Sequence, residues 1–169
     1  MRNLFLIRDA SVNLRGKLTQ SCDNSGKHKI EQIVKQMYEI IAKQMQETSY
    51  KESKNGLYLL YSAEPVAEQT AKIIKDKFGL RQESFEEKDE LWLDEKKYLE
   101  KALHTVDDII ALHDNYFSIV VCANNEFITP YKNHIIKTES IEGKRFKITQ
   151  RYPGVHFDLK LGTYKVLPE

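Results

Sequence analysis

The chain has 169 residues, enough for a substantial core in one domain spanning 1–169. Its 26 basic and 25 acidic side chains leave a net charge of +1, which removes the electrostatic case for nucleic acid or a membrane surface as partner. A hydrophobic fraction of 41% with 30% charged residues describes a soluble globular protein, and no apolar run nears the ~20 residues of a bilayer crossing. The opening apolar run is too short for a signal peptide and is broken by Arg8 and Asp9. Cys22 and Cys122 form neither a disulfide framework nor a metal-ligand spacing, and Cys122, after a valine-rich run, reads as a buried thiol. The expected setting is a reducing cytoplasm.

Leu4-Phe5-Leu6-Ile7 reads as a short buried strand that ends abruptly in the charged pair Arg8-Asp9. In an open α/β sheet, ligands bind beyond the carboxyl ends of the strands, which puts this pair at the mouth of a site. From His28 to Gln46 the apolar positions Ile30, Ile33, Val34, Met37, Ile40, Ile41 and Met45 recur at three and four, one stripe of an amphipathic helix. Asn55-Gly56 turns the chain into a second buried strand, Leu57 to Tyr61. A helix follows, with Ser62 as its expected N-cap, Pro65 in its first turn and Gly79 closing it in a left-handed conformation.

Residues 81–94 are strongly acidic and read as a solvated loop packed down by Trp92. A third helix is expected from Glu95 to His113, and a third buried strand from Tyr116 to Cys122. Asn125 is positioned to cap a fourth helix running to about Lys137, with Pro130 early in it. Arg145 to Thr149 and Val155 to Leu159 alternate as strands do, and Leu161-Gly162-Thr163 turns into a closing strand, Tyr164 to Leu167.

Three of these strand ends carry a resemblance. Leu4-Phe5-Leu6-Ile7-Arg8-x-Ala10 resembles the opening of the histidine phosphatase superfamily, which includes phosphoglycerate mutases and phosphohistidine phosphatases. Ala67-Glu68-Gln69-Thr70-Ala71 after Ser62 is similar to its second signature, and Val121-Cys122-Ala123-Asn124 to its third. The resemblance implies a phosphoglycerate mutase-like α/β fold: a three-layer α/β/α sandwich with a mostly parallel central sheet and helices on both faces. It also implies a phosphate pocket, with Arg8, Asp9, Ser62 and Asn124 as its expected ligand-binding residues. The same resemblance marks departures. Asp9 stands where the family has its histidine nucleophile, Val66 where it has an arginine, and Ala123 where it has its second histidine. The family's general acid falls in the 81–94 insertion, where Glu86, Glu87, Asp89 and Glu90 all qualify by position.

These departures bear directly on chemistry. Phosphoryl transfer depends on preorganised positive groups, and losing a single such donor typically costs about 10²–10³ in rate. A carboxylate ~5 Å from a phosphate charge costs about 3 kcal/mol at an effective dielectric of ~20, roughly cancelling the attraction of Arg8. The pocket is therefore expected to be polar and close to neutral. Aspartate-nucleophile phosphatases pair Asp-x-Asp after the first strand, but position 11 is Ser11. No nucleophile-elbow glycines flank Ser11 or Ser62, and none of the five histidines falls at a family catalytic position. His156, beside alternating apolar residues, reads as a packed or edge histidine.

The leading expectation is a catalytically inactive relative, with no cofactor and no metal, that binds a phosphorylated small molecule, a phosphoprotein or an unphosphorylated protein partner. Two alternatives remain open. One is a residual phosphatase, acting on phosphohistidine or a phosphomonoester through Asp9 or a metal. The other is a self-associating scaffold, since the sequence leaves the oligomeric state unknown.

Overall fold

The structure, a computed structural model, describes residues 2–9, 13–14, 17–18, 24–47, 55–91, 98–141, 146–149 and 153–168. In chain order these give β1 (Asn3–Arg8), the short pair β2 (Asn13–Leu14) and β3 (Lys17–Leu18), α1 (Asn24–Glu47) and β4 (Asn55–Ser62). Then come α2 (Pro65–Phe78), β5 (Phe85–Lys88), α3 (Leu99–Leu112) and β6 (Tyr116–Ala123). The chain closes with α4 (Asn125–Thr138), β7 (Gly154–Asp158) and β8 (Thr163–Leu167). Six strands form the main sheet in the order β5-β4-β6-β1-β7-β8. β5, β4, β6 and β1 run parallel; β7 is antiparallel to β1, and β8 to β7.

Strand periodicity explains the layers. Successive side chains leave a strand on opposite faces, and a sheet buried on both sides reads as an unbroken apolar run. Leu4 and Leu6 join one core with Ile119, Val121, Val155 and Phe157, covered by α3 and α4 through Val106, Phe127 and Ile135. Phe5 and Ile7 join the other with Leu57, Leu59, Val120 and Cys122, covered by α1 and α2 through Ile33, Met37 and Ile74. The result is the expected three-layer α/β/α sandwich. Cys122 is a buried free thiol, with Sγ 3.5 Å from the Ala67 carbonyl oxygen that it faces as donor. Packing is close at Gly154: a Cβ there would lie 3.3 Å from Ile33 Cδ1 and from Leu167 Cβ, so either neighbour would have to give by a few tenths of an ångström.

Several local expectations shift. The helix after β4 is capped at Glu64, which is extended, and Pro65 takes the first helical position; Ser62 is still the last residue of the strand. Gly79 does close α2, at φ 61°, with Leu80 N–H donating to the Lys75 carbonyl at 3.0 Å. Asn124, not Asn125, caps α4. Within the acidic 81–94 stretch, Phe85–Lys88 pairs with the edge of β4 as a fourth parallel strand, short and charged as a protected sheet edge tends to be. Residues 146–149 form no strand, although their sequence alternates. Side chains hold that segment instead: buried Lys132 donates to the Phe146 carbonyl at 2.7 Å, Phe146 stacks on Tyr164, and Ile148 enters the core. Ser11, Cys22, Trp92 and Arg145 lie outside the described residues. Among the described residues no helix is long and apolar enough to cross a membrane.

Candidate functional site

The central strands β4, β6 and β1 end side by side, and the charged pair that terminates β1 lies at their carboxyl ends. The register sets Arg8 against Ala123 and Tyr61 against Cys122. Asp9 N–H donates to the Ala123 carbonyl at 2.9 Å, and Arg8 N–H donates to the Pro153 carbonyl at 2.6 Å. These backbone bonds anchor the main chain of both residues at the carboxyl end of the sheet. Arg8 Nε lies 3.9 Å from Asp9 Oδ1, a loose ion pair, and Asp9 is only 5% exposed.

Two helices begin at the same place. Asn124 caps α4, its Oδ1 accepting from Phe127 N–H at 3.1 Å, so the amide that the sequence offered as a ligand contact is partly spent on structure. Ser62 is fully buried, and its Oγ accepts from Glu64 N–H at 3.3 Å, shaping the turn into α2. Val66 and Ala123 are buried and present no polar atom to the cleft. Thus Arg8, Asp9, Ser62 and Asn124 do converge on the carboxyl end of the sheet, while positions 66 and 123 supply only apolar packing.

The residue that sequence reasoning missed is Glu64. Burial raises the pKa of its carboxyl, the nearby charge of Asp9 raises it further, Asn124 pulls the other way by stabilising the ionised form, and Glu126 adds a small upward push. Among the described residues, Glu64 Oε2 and Arg8 Nε are both buried without a hydrogen-bond partner. The signal for Glu64 was present inside the second signature, as an acid at the carboxyl end of a strand just before a proline that opens a helix. The acidic stretch that follows offers more carboxylates by position but, among the described residues, does not supply the site. There Glu86 is committed elsewhere, accepting from the Tyr58 hydroxyl and pairing with Lys88 at 2.6 Å. Glu87 acts on Tyr61, whose hydroxyl is pushed up to about 12 by burial first and Glu87 second. Asp89 and Glu90 are exposed.

Among the described residues, Arg8 is paired loosely with Asp9, and the charges of Asp9 and Glu126 act on the Glu64 carboxyl. Among the described residues no group of three or more His, Cys, Asp or Glu side chains is arranged to hold a metal ion.

No protein-family model matches the sequence, and a comparison with curated proteins gives no match. Solved structures do match. A mycobacterial glucosyl-3-phosphoglycerate phosphatase superposes with a TM-score of 0.58 at 10% identity, covering 98% of this chain and 97% of its own. The protein histidine phosphatase SixA, solved with tungstate, gives 0.55 at 13% identity over 97% of this chain and 93% of its own. A phosphoglycerate mutase from Plasmodium falciparum gives 0.51 at 14% identity over 99% and 89%. At such identities the likeness is one of fold. This chain accordingly has the histidine phosphatase fold, the architecture shared by phosphohistidine phosphatases and phosphoglycerate mutases.

Proposed function

We propose that residues 1–169 form a single histidine-phosphatase-like domain that has lost phosphoryl-transfer chemistry and works by binding. One observation carries this reading: Asp9 stands beside Arg8, the charges of Asp9 and Glu126 both act on the Glu64 carboxyl, and Val66 and Ala123 are buried where the family resemblance implies an arginine and a histidine. Among the described residues there, a phosphoryl dianion meets the Asp9 carboxylate beside Arg8. A carboxylate ~5 Å away opposes each unit of charge on the anion by about 3 kcal/mol at an effective dielectric of ~20. Solvent lowers that figure for exposed Glu126. Nothing in the described cleft offers the cluster of oriented donors on which phosphoryl transfer relies. Of the ligand classes that the fold suggests, a phosphorylated small molecule, a phosphoprotein or an unphosphorylated protein partner, this charge favours the last.

The test is an assay with p-nitrophenyl phosphate and with phosphohistidine, each with and without Mg²⁺. The expected result is background turnover in all arms. Turnover abolished by Asp9→Ala would establish a residual phosphatase and overturn the binding-only reading.

A further inference from the structure

At the opposite end of the sheet, where β1 begins and β7 ends, a chain of polar side chains runs through the core. Asp158 Oδ2 can only accept, so the Gln44 amide meets it with Nε2, at 2.9 Å, and turns Oε1 away. Gln44 Oε1 accepts from Asn3 Nδ2 at 2.7 Å, which directs Asn3 Oδ1 toward His156 Nε2 at 2.8 Å. Asn3 Oδ1 is an acceptor, so His156 Nε2 carries the ring proton and Nδ1 holds a lone pair. Asn3, Gln44, His156 and Asp158 are 0%, 7%, 6% and 4% exposed. A buried carboxylate thus sets the tautomer of the imidazole through two amides.

His156 lines a groove of about 390 Å³ between α1 and the β7–β8 hairpin. Its basic lining residues are Arg2, Lys43 and Lys165, and its acidic ones are Glu39 and Asp158. Asp158 is already covered: Arg2 Nη2 lies 3.3 Å from it, Gln44 donates to it, and the backbone N–H groups of Lys160 and Leu161 donate to its Oδ1 at 3.1 Å each. Lys165 is the cross-strand neighbour of His156. Burial, Lys165 and Arg2 depress the imidazole pKa to about 4 against the opposing pull of Asp158, which keeps the ring neutral near pH 7. With Arg2 set against Asp158, the lining leaves Lys43 and Lys165 against Glu39, one positive charge in excess, beside a buried imidazole whose Nδ1 can only accept.

We propose that this groove binds an oxyanion that retains a hydroxyl proton, such as monobasic phosphate or a phosphomonoester monoanion. The anion's charge is met by Lys43 and Lys165, and its O–H donates to His156 Nδ1. Sulfate presents the same tetrahedron of oxygens without that proton, so it sets lone pair against lone pair at Nδ1. His156 pairs with Phe5, three residues or about 10 Å along β1 from Arg8, and Asp158 pairs with Asn3 at the strand's start; the site stands independently of the function proposed for the Arg8 cleft.

The test is an NMR titration of the full chain with inorganic phosphate and with sodium sulfate. Phosphate is expected to move the amide signals of Lys160, Leu161 and Lys165 saturably, with sulfate weaker by about tenfold or more, the worth of one hydrogen bond at a partly desolvated acceptor. Lys165→Glu, at a partly exposed position on an edge strand, is expected to abolish the saturation, whereas Asp9→Asn leaves it intact. A parallel titration with glycerol phosphate separates free phosphate from an ester as the preferred form. The imidazole ¹⁵N spectrum is expected to show a protonated Nε2 and an unprotonated Nδ1 in His156. Equal affinity for both anions, saturable shifts confined to the residues around Arg8, an unaltered Lys165→Glu response, a protonated Nδ1 or no saturable shift at all would each overturn the proposal.

Discussion

The two ends of the sheet handle buried charge in opposite ways. At the amino end of β1, Asn3, Gln44, His156, Asp158 and Arg2 satisfy one another in a continuous hydrogen-bonded chain. At the carboxyl end, Arg8 Nε and Glu64 Oε2 are buried without hydrogen-bond partners among the described residues, and Asp9 and Glu126 act unfavourably on the Glu64 carboxylate. A completed buried network rigidifies what it joins, whereas unmet donors and acceptors are a standing cost that a ligand or partner can relieve.

The sharpest way to break this contrast is at the amino end. Asp158→Ala strands the Arg2 guanidinium, the Gln44 amide and two backbone N–H groups, and is expected to cost about 3–5 kcal/mol, as loss of one partner of a buried pair does. Urea unfolding midpoints measure this directly, and a loss below 1 kcal/mol would show the network to be slack.

The next effect is a pH dependence. The folded-state pKa of His156 is lowered to about 4 from an unfolded value near 6.5, so the unfolded chain takes up the proton first as pH falls. Stability from this group is full above about pH 6.5 and is lost down to about pH 4, a total of roughly 3 kcal/mol. His156→Gln, whose amide can still donate to Asn3, is expected to flatten that slope in denaturation curves taken at pH 7 and pH 4.5.

At the carboxyl end the sign reverses. Glu64 has a raised carboxyl pKa, so its contribution is present below its unfolded pKa and is lost as pH rises through the folded value. Glu64→Gln is therefore expected to stabilise the protein at pH 7 by about 1 kcal/mol, the low end of the cost of an unpaired buried polar atom. The gain should vanish near pH 4, and thermal melts at the two pH values would show it. The smallest effect is on catalysis: Asp9→His alone should leave phosphatase turnover at background, because Val66 and Ala123 provide no clamp and Glu64 still opposes the anion. Robust turnover of p-nitrophenyl phosphate by that variant would show that the cleft's charge does not govern its chemistry.

Much of the fold could be read locally. The stripe from Ile30 to Met45 specifies α1, and the unbroken apolar runs of β1, β4 and β6 specify strands buried on both faces. Gly79 marks the end of α2 because few other residues adopt its φ readily. The edge strand β5 escaped because Phe-Glu-Glu-Lys shows no apolar pattern and is a strand only by virtue of the neighbour it pairs with. Residues 146–149 misled for the converse reason: alternation suits a strand, but no sheet edge receives them. At the cleft, Arg8, Asp9, Ser62 and Asn124 were legible because each closes or follows a strand. Glu64 was not, because its importance lies in the distance to Asp9 across the sheet rather than in its own segment.

By itself, then, the sequence determined the layers, through side-chain periodicity that each segment carries internally, and the identity of the residues at the three strand ends. Only the tertiary structure decided which charges meet. Asp158 reaches Gln44 across 114 positions of chain, and His156 reaches Asn3 across 153. Those pairings are set by strand order and register, which depend on the whole sheet assembling at once and leave no local trace in the residues they join.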